Sequence, residues 1–188
     1  MGGGLYLAIE PLDGGARFGV GMCRWVVWCG QESILLEHML FAPTHSLIQQ
    51  SFSGGFHPGA KPTNNMTLNA DGFGIGWYSR HGAAIFRSTT AAWNNRNLRE
   101  LCSTIESRCV FAHVRAASTG SIISESNCHP FRYGNLLFQH NGHIECFERI
   151  KRRVMNELRD EIYEWVEGNT DSEACFALGT HTANDQTP

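Results

Sequence analysis

The stretch Asp71-Gly72-Phe73-Gly74-Ile75-Gly76-Trp77-Tyr78 limits the possible folds more than any other part of this chain. Its bulky residues alternate with glycine, and alternation is the period of a β-strand. Glycine repeated within a strand signals that another backbone or a ligand comes close. The three glycines superficially resemble a nucleotide-binding loop. They lack the preceding strand and the following helix that such a loop requires, so that reading is set aside. A second strand over Ala83 to Ser88 makes a hairpin with Phe73 to Tyr78 around Arg80-His81-Gly82.

The other elements are read from the same signals. Cys23 to Trp28 reads as a buried strand. Ser33 to Phe41 reads as a helix, with Pro43 just beyond it, and Thr44 as the cap of a second helix reaching Phe52. Ser53 to Asn65 is a loop. Asn94 or Asn95 caps a helix through about Ser107, with Leu98, Leu101 and Ile105 on one face. Strands follow at Val110 to Val114 and Leu136 to Gln139, with a loop over Thr119 to Pro130 between them. Ile150, Val154, Leu158 and Ile162 recur every fourth residue and predict a helix, beside which Lys151, Arg152 and Arg153 form a solvated face. Thr170-Asp171-Ser172-Glu173 has the spacing of a capping box. It predicts a helix over Ala174 to Leu178, stopped by Gly179.

At 188 residues the chain suits a single domain with a sizeable core. A net charge of −3 gives no electrostatic case for nucleic acid or an anionic membrane. No apolar run approaches the roughly 20 residues of a membrane span. Seven cysteines, an odd number without repeated short spacing, argue against a disulfide framework and for a reducing, cytoplasmic setting. Residues 1–21 are glycine-rich, without the charged and apolar regions of a signal peptide, and read as a flexible extension or a mis-assigned start.

Several polar residues fall where strands end or a helix begins, so they can converge at one sheet edge. Met22-Cys23 offers a thiol. If translation starts at Met22 and the methionine is removed, the same residue also carries a free α-amine. An amine with a pKa of roughly 8 can serve as the thiol's base. Asn141 offers a side-chain N–H and Gly142 a backbone N–H, both suited to an oxyanion. Arg115 can hold a carboxylate in two-pronged fashion and Asp171 can pair with an ammonium. Together these match the α-groups of a glutamyl residue. Each also has a plainer reading: a buried cysteine, an ordinary ion pair, a turn at Asn141-Gly142, and a first-turn acid at Asp171.

The ordered set comprises Met22-Cys23-Arg24-Trp25, the glycine strand, Ala112-His113-Val114-Arg115-Ala116, Asn127-Cys128-His129-Pro130-Phe131, His140-Asn141-Gly142 and Thr170-Asp171-Ser172-Glu173. With these motifs the chain resembles the class II glutamine amidotransferases, which are N-terminal-nucleophile hydrolases. It looks closest to their small stand-alone branch, which includes the amidotransferase-like subunit of a glutathione-degradation complex. The resemblance implies an α+β fold, the αββα four-layer sandwich, over about residues 22–179, C-terminal truncation, and a disordered tail at 180–188. It implies Cys23 as nucleophile with its own amine as base, Asn141 and Gly142 as oxyanion hole, and Arg115, Ser118 and Asp171 as substrate-binding residues. Arg24, His113 and His129 would support them. It implies hydrolysis of a γ-glutamyl amide with no metal or organic cofactor, and a peptidase or synthase partner subunit.

Many family members carry Trp, Thr and His where this chain has Ala116, Ser118 and Thr119. That departure weakens ammonia channelling and favours another γ-glutamyl amide. Two alternatives stand beside this reading. One is a catalytically silent, shortened subunit that acts by binding a partner. The other is a metal module built from His140, His143 and Cys146 with Cys128 and His129, although no CxxC pair exists.

Overall fold

The computed structural model describes residues 23–53, 68–117 and 121–184. The expected extension at 1–21, Ser118, Thr119, most of the 53–65 loop and residues 185–188 lie outside them.

Four antiparallel strands form the main sheet: β1 (Arg24–Leu35), β2 (Phe73–Ser79), β3 (Gly82–Ser88) and β4 (Glu106–Val114), in the order β1-β4-β2-β3. One face packs against helices α1 (Leu36–Leu40), α2 (Leu47–Phe52) and α3 (Arg96–Cys102). There Phe73, Ile75, Val110, Ala112 and Val114 meet Leu36, Leu40, Ile48 and Leu98 in the main core. A short hairpin of β5 (Phe131–Tyr133) and β6 (Leu136–Phe138) covers the opposite face. Outside it lie α4 (Phe147–Glu157), α5 (Asp160–Trp165) and α6 (Asp171–Asn184), where Leu158, Ile162 and Ala177 form a second small core. The layers therefore run helix, sheet, sheet, helix, the α+β arrangement expected.

The glycine strand is what lets the two sheets meet. A Cβ on Gly74 would run into the carbonyl oxygen of His129, and one on Gly76 would lie 2.8 Å from the Pro130 ring. Any side chain at these positions would push the Cys128–Phe131 segment off β2.

Several boundaries differ from the sequence reading. The helix expected from Ser33 begins only at Leu36, because Ile34 and Leu35 pair with Ser107 and Glu106. The same pairing ends α3 at Cys102 rather than near Ser107, since Glu106 is drawn into β4. Tertiary pairing has overridden local helix preference at both ends of one contact. Ser46, not Thr44, caps α2, its hydroxyl accepting the Gln49 N–H at 3.1 Å. Asn95 caps α3 as expected, accepting the Leu98 N–H at 2.8 Å.

The stripe from Ile150 to Ile162 is broken at Leu158, whose backbone is extended, so that Leu158 and Ile162 both turn in against Ala177. Strand β5 was not foreseen. Half of the capping box is present, with the Thr170 hydroxyl accepting the Glu173 N–H at 3.1 Å. The Glu173 carboxylate instead accepts from Glu167 N and Gly168 N, at 3.1 and 2.8 Å. α6 continues through Gly179 to Asn184, because Ala177 and Thr180 on either side of that glycine are buried.

Two glycine substitutions should therefore act in opposite directions. Gly74→Ala should destabilise the fold by about 1–3 kcal/mol through overpacking. Gly179→Ala, with open space around its Cβ, should stabilise it by about 0.5–1 kcal/mol. Urea unfolding of the two variants beside the parent checks both signs.

Candidate functional site

The site is assembled by the β1–β4 pairing. Arg24 lies opposite Val114, which brings the preceding Cys23 beside the following Arg115-Ala116. The Cys23 thiol sits against the Ala116 backbone, with Sγ 3.3 Å from the Ala116 N–H and 3.4 Å from its carbonyl oxygen. β2 joins the same edge, as Arg115 N–H donates to Gly72 O at 2.8 Å and Asp71 N–H to Arg115 O at 3.2 Å. The Asp71 carboxylate then accepts the Ala117 N–H at 2.8 Å.

Arg115 is buried, and its guanidinium donates to Ser121 Oγ at 2.6 Å and to the Ile122 carbonyl at 3.1 Å. The segment after β6 returns along β1. Gln139 Nε2 donates to Val26 O at 3.3 Å and Asn141 Nδ2 to Cys23 O at 2.9 Å. Asp171 opens α6, and its carboxylate accepts from Ile144 N at 2.7 Å and Ser172 N at 2.8 Å. His143 approaches the same carboxylate at 3.6 Å, and His140 Nδ1 meets Ser172 Oγ at 2.9 Å.

These elements line a half-open cavity of about 350 Å³ whose lining includes Cys23, Arg115, Gly142, Asp171, His129 and His140. Four residues singled out from the sequence thus share one cavity with His129. Asn141 adjoins it through its bond to the Cys23 carbonyl and keeps a second amide N–H. Arg24 turns the other way and donates to Gln50 Oε1 on α2 at 3.0 Å, so it braces the strand start against the helix layer. His113 lies behind the cavity, stacked on His129 at 4.4 Å. The residues of the metal alternative have separate partners: His140 Ser172, His143 Asp171, and Cys128 the Ser124 carbonyl. Among the described residues no group of three or more His, Cys, Asp and Glu is placed to hold a metal ion.

Burial dominates the protonation states. It raises the Cys23 thiol above its ordinary range, an effect that the Ala116 backbone and the Arg115 charge offset only partly. A base is therefore needed to form the thiolate. Burial pushes His113 down to about 3, against the pull of the nearby His140 carbonyl, and Arg115 adds to the depression. Burial and then His113 hold His129 well below the usual imidazole range. Both rings are neutral at ordinary pH and are poor bases for a thiol.

Two contributors escaped the sequence reading. Asp71 fixes the Ala117 amide, and Asn127 joins two loops. Asn127 Nδ2 donates to Asn169 Oδ1 at 2.8 Å and to Ile122 O at 3.0 Å, while its Oδ1 accepts Asn169 N–H at 3.0 Å. The carbonyl that receives Arg115 is thereby tied to the loop that delivers Asp171. Both residues sit within motifs noted above, but neither residue type announces a remote partner.

The sequence model described as glutamine amidotransferases class-II matches residues 39–182. The chain belongs to this family. Relatives of this family member include the probable glutamine amidotransferase DUG3 of Saccharomyces cerevisiae, 43% identical over 163 residues, covering 84% of this chain and 44% of that protein. The gamma-glutamyl-hercynylcysteine sulfoxide hydrolase of Mycolicibacterium smegmatis is 32% identical over 125 residues, covering 66% of this chain and 52% of that protein. The chain thus spans about half the length of the curated relatives it matches. A solved structure of a glutamine aminotransferase class-II domain protein from Silicibacter pomeroyi superposes with a TM-score of 0.59 at 26% identity, covering 86% of this chain and 56% of that one.

The buried histidine pair gives this class II domain an acid liability. Between about pH 6.5 and the depressed folded values, the unfolded chain binds protons at His113 and His129 that the folded chain does not. Stability contributed by the neutral rings is therefore present above that window and is lost as pH falls through it. The urea midpoint should drop between about pH 7 and about pH 5, and His113→Gln should shrink that drop. An undiminished drop in the variant would remove His113 as its source.

Proposed function

We propose that this chain hydrolyses a γ-glutamyl amide through Cys23 acting as an N-terminal nucleophile. The observation that carries the reading is the shared cavity, in which a thiol, a guanidinium and a carboxylate line one half-open space. Supporting it are the names of the relatives, which concern glutamine and γ-glutamyl compounds. In this reading Arg115 receives the substrate α-carboxylate and Asp171 its α-ammonium, which leaves the γ-amide directed at the thiol. Ser118 would add a hydroxyl to the substrate's binding loop.

The α-amine of Cys23 takes the thiol proton, and the thiolate attacks the γ-carbonyl carbon. The Gly142 N–H and an amide N–H of Asn141 stabilise the oxyanion. The amine then returns the proton to the leaving nitrogen, which departs and leaves a γ-glutamyl thioester. Water, deprotonated by the same amine, cleaves the thioester and regenerates the thiol. The burial that raises the thiol makes this base necessary, and the neutral histidines behind the cavity are poorly suited to replace it. No metal or organic cofactor enters the scheme. The substrate is glutamine, glutathione or a related γ-glutamyl compound, and the reaction runs in the cytoplasm, alone or with a peptidase or synthase subunit.

A peptide-bonded nitrogen at Cys23 lacks a basic lone pair, so the scheme requires a chain that begins at Cys23. Proteins expressed from Met1 and from Met22 should be assayed against glutamine and glutathione, with each N-terminus read by intact mass. Activity should follow the free Cys23 amine. Equal activity with residues 1–22 still attached would refute the amine's role, and inactivity of both despite a free Cys23 would favour a silent, partner-binding subunit. Cys23→Ala should abolish turnover, and Asn141→Ala should lower it by about 10² to 10³ if the amide stabilises the oxyanion. Full activity in Cys23→Ala would rule out the mechanism.

A further inference from the structure

The cysteines outside the cavity are not equivalent. Cys102 and Cys128 are fully buried. Burial pushes their thiols up to about 12 and about 11, which leaves them protonated and shielded. Cys29 and Cys109 differ from both. They are directly opposite one another in the β1–β4 pairing, Cys29 exposed and Cys109 half-buried. Their sulfurs lie 2.8 Å apart.

That separation is well inside ordinary sulfur–sulfur contact and within roughly 0.8 Å of a covalent bond. Backbone geometry agrees. Opposed residues of an antiparallel pair have Cα atoms about 4.5–5.5 Å apart, inside the window of about 4.4–6.8 Å that a disulfide spans. The chain also gives way locally beside this pair, since the register of β1 against β4 shifts between Cys29 and Ile34. A small approach of the two strands at Cys29 therefore need not disturb the regular ladder from Arg24 to Trp28 that positions the cavity.

We propose that Cys29 and Cys109 are a redox-active dithiol site that a small disulfide, such as oxidised glutathione, converts to an intrachain cross-strand disulfide. Cys29 is the more exposed sulfur and reacts first. Its thiolate attacks one sulfur of the small disulfide, whose S–S bond breaks and releases one thiolate, leaving a mixed disulfide at Cys29. Cys109 then attacks the Cys29 sulfur, its proton passing to the departing group. The second small thiol leaves as the Cys29–Cys109 bond forms. Two protein thiols are oxidised, and one small disulfide is reduced to two thiols. Burial, followed by the neighbouring Cys29 sulfur, pushes the Cys109 thiol up to about 12, which fits its acting second and within the chain.

The site is distinct from the proposed nucleophile. Cys29 lies six positions along the chain from Cys23, about 20 Å at the rise of an extended chain. Oxidation here fastens β1 to β4 without consuming the cavity thiol.

The test is to incubate the full chain with oxidised glutathione, block remaining thiols with N-ethylmaleimide, digest without reduction and map the peptides by mass spectrometry. The expected result is a linked Cys29–Cys109 peptide lighter by two hydrogens than the sum of its parts and reversed by dithiothreitol, with loss of maleimide labelling at both residues. In Cys109→Ser protein Cys29 should instead keep a stable glutathione adduct, because the closing thiol is gone. A parent protein that retains the adduct at Cys29 without closure, links either residue to a different cysteine, or leaves both fully labelled by maleimide would overturn the proposal.

Discussion

The pairing of β1 with β4 is the contact on which the rest of this structure depends. It places Cys23 beside Ala116 only because Arg24 lies opposite Val114. Side chains alternate across a strand, so a slip of one residue would turn every β1 side chain to the other face. Val26 and Trp28 would leave the helix-side core, where they pack near Ala112 and Val110. The register is thus held by apolar burial along the strand. The polar site at its end inherits a position that its own few hydrogen bonds could not enforce.

The second sheet layer completes the cavity, and its approach depends on what β2 lacks. With glycine at 74 and 76, the His129–Pro130 backbone rests directly on the strand. His129 then lies between the cavity and His113. The neutral stack forms a buried rear wall to the cavity that Arg115 lines. A guanidinium in such surroundings interacts with an anion more strongly than one in water would, while Ser121, Ile122 and, through Ile122, Asn127 keep its plane in place.

What could be read from the sequence follows the range of the interaction concerned. Asn95 as a cap and the Phe73–Ser88 hairpin rest on neighbours a few residues away, and they were foreseen. The glycine alternation carried a long-range fact in local form, since bare positions on a strand imply that something fills them. Ser33 to Leu35 has an acceptable helical pattern, but its fate was decided by Glu106 and Ser107, some seventy residues on. Cys23, Arg115, Gly142 and Asp171 could be singled out because together they carry the groups that would meet a glutamyl amide, and the structure places the four in one cavity. Asn127 was not, because an asparagine that bridges two loops has the same local appearance as one in any turn.

The bond from Asn141 to the start of β1 has a meaning beyond the cavity. β1 is an outer strand of the sheet, and the Cys23 carbonyl at its start is taken by the Asn141 side chain rather than by β4. An open strand edge of this kind is a template on which a strand from another molecule can add. Here the segment after β6 sets the Asn141 amide on the acceptor at the start of that edge without forming a ladder. The mouth of the cavity is consequently guarded against intermolecular strand addition by the same asparagine that holds the carbonyl of Cys23.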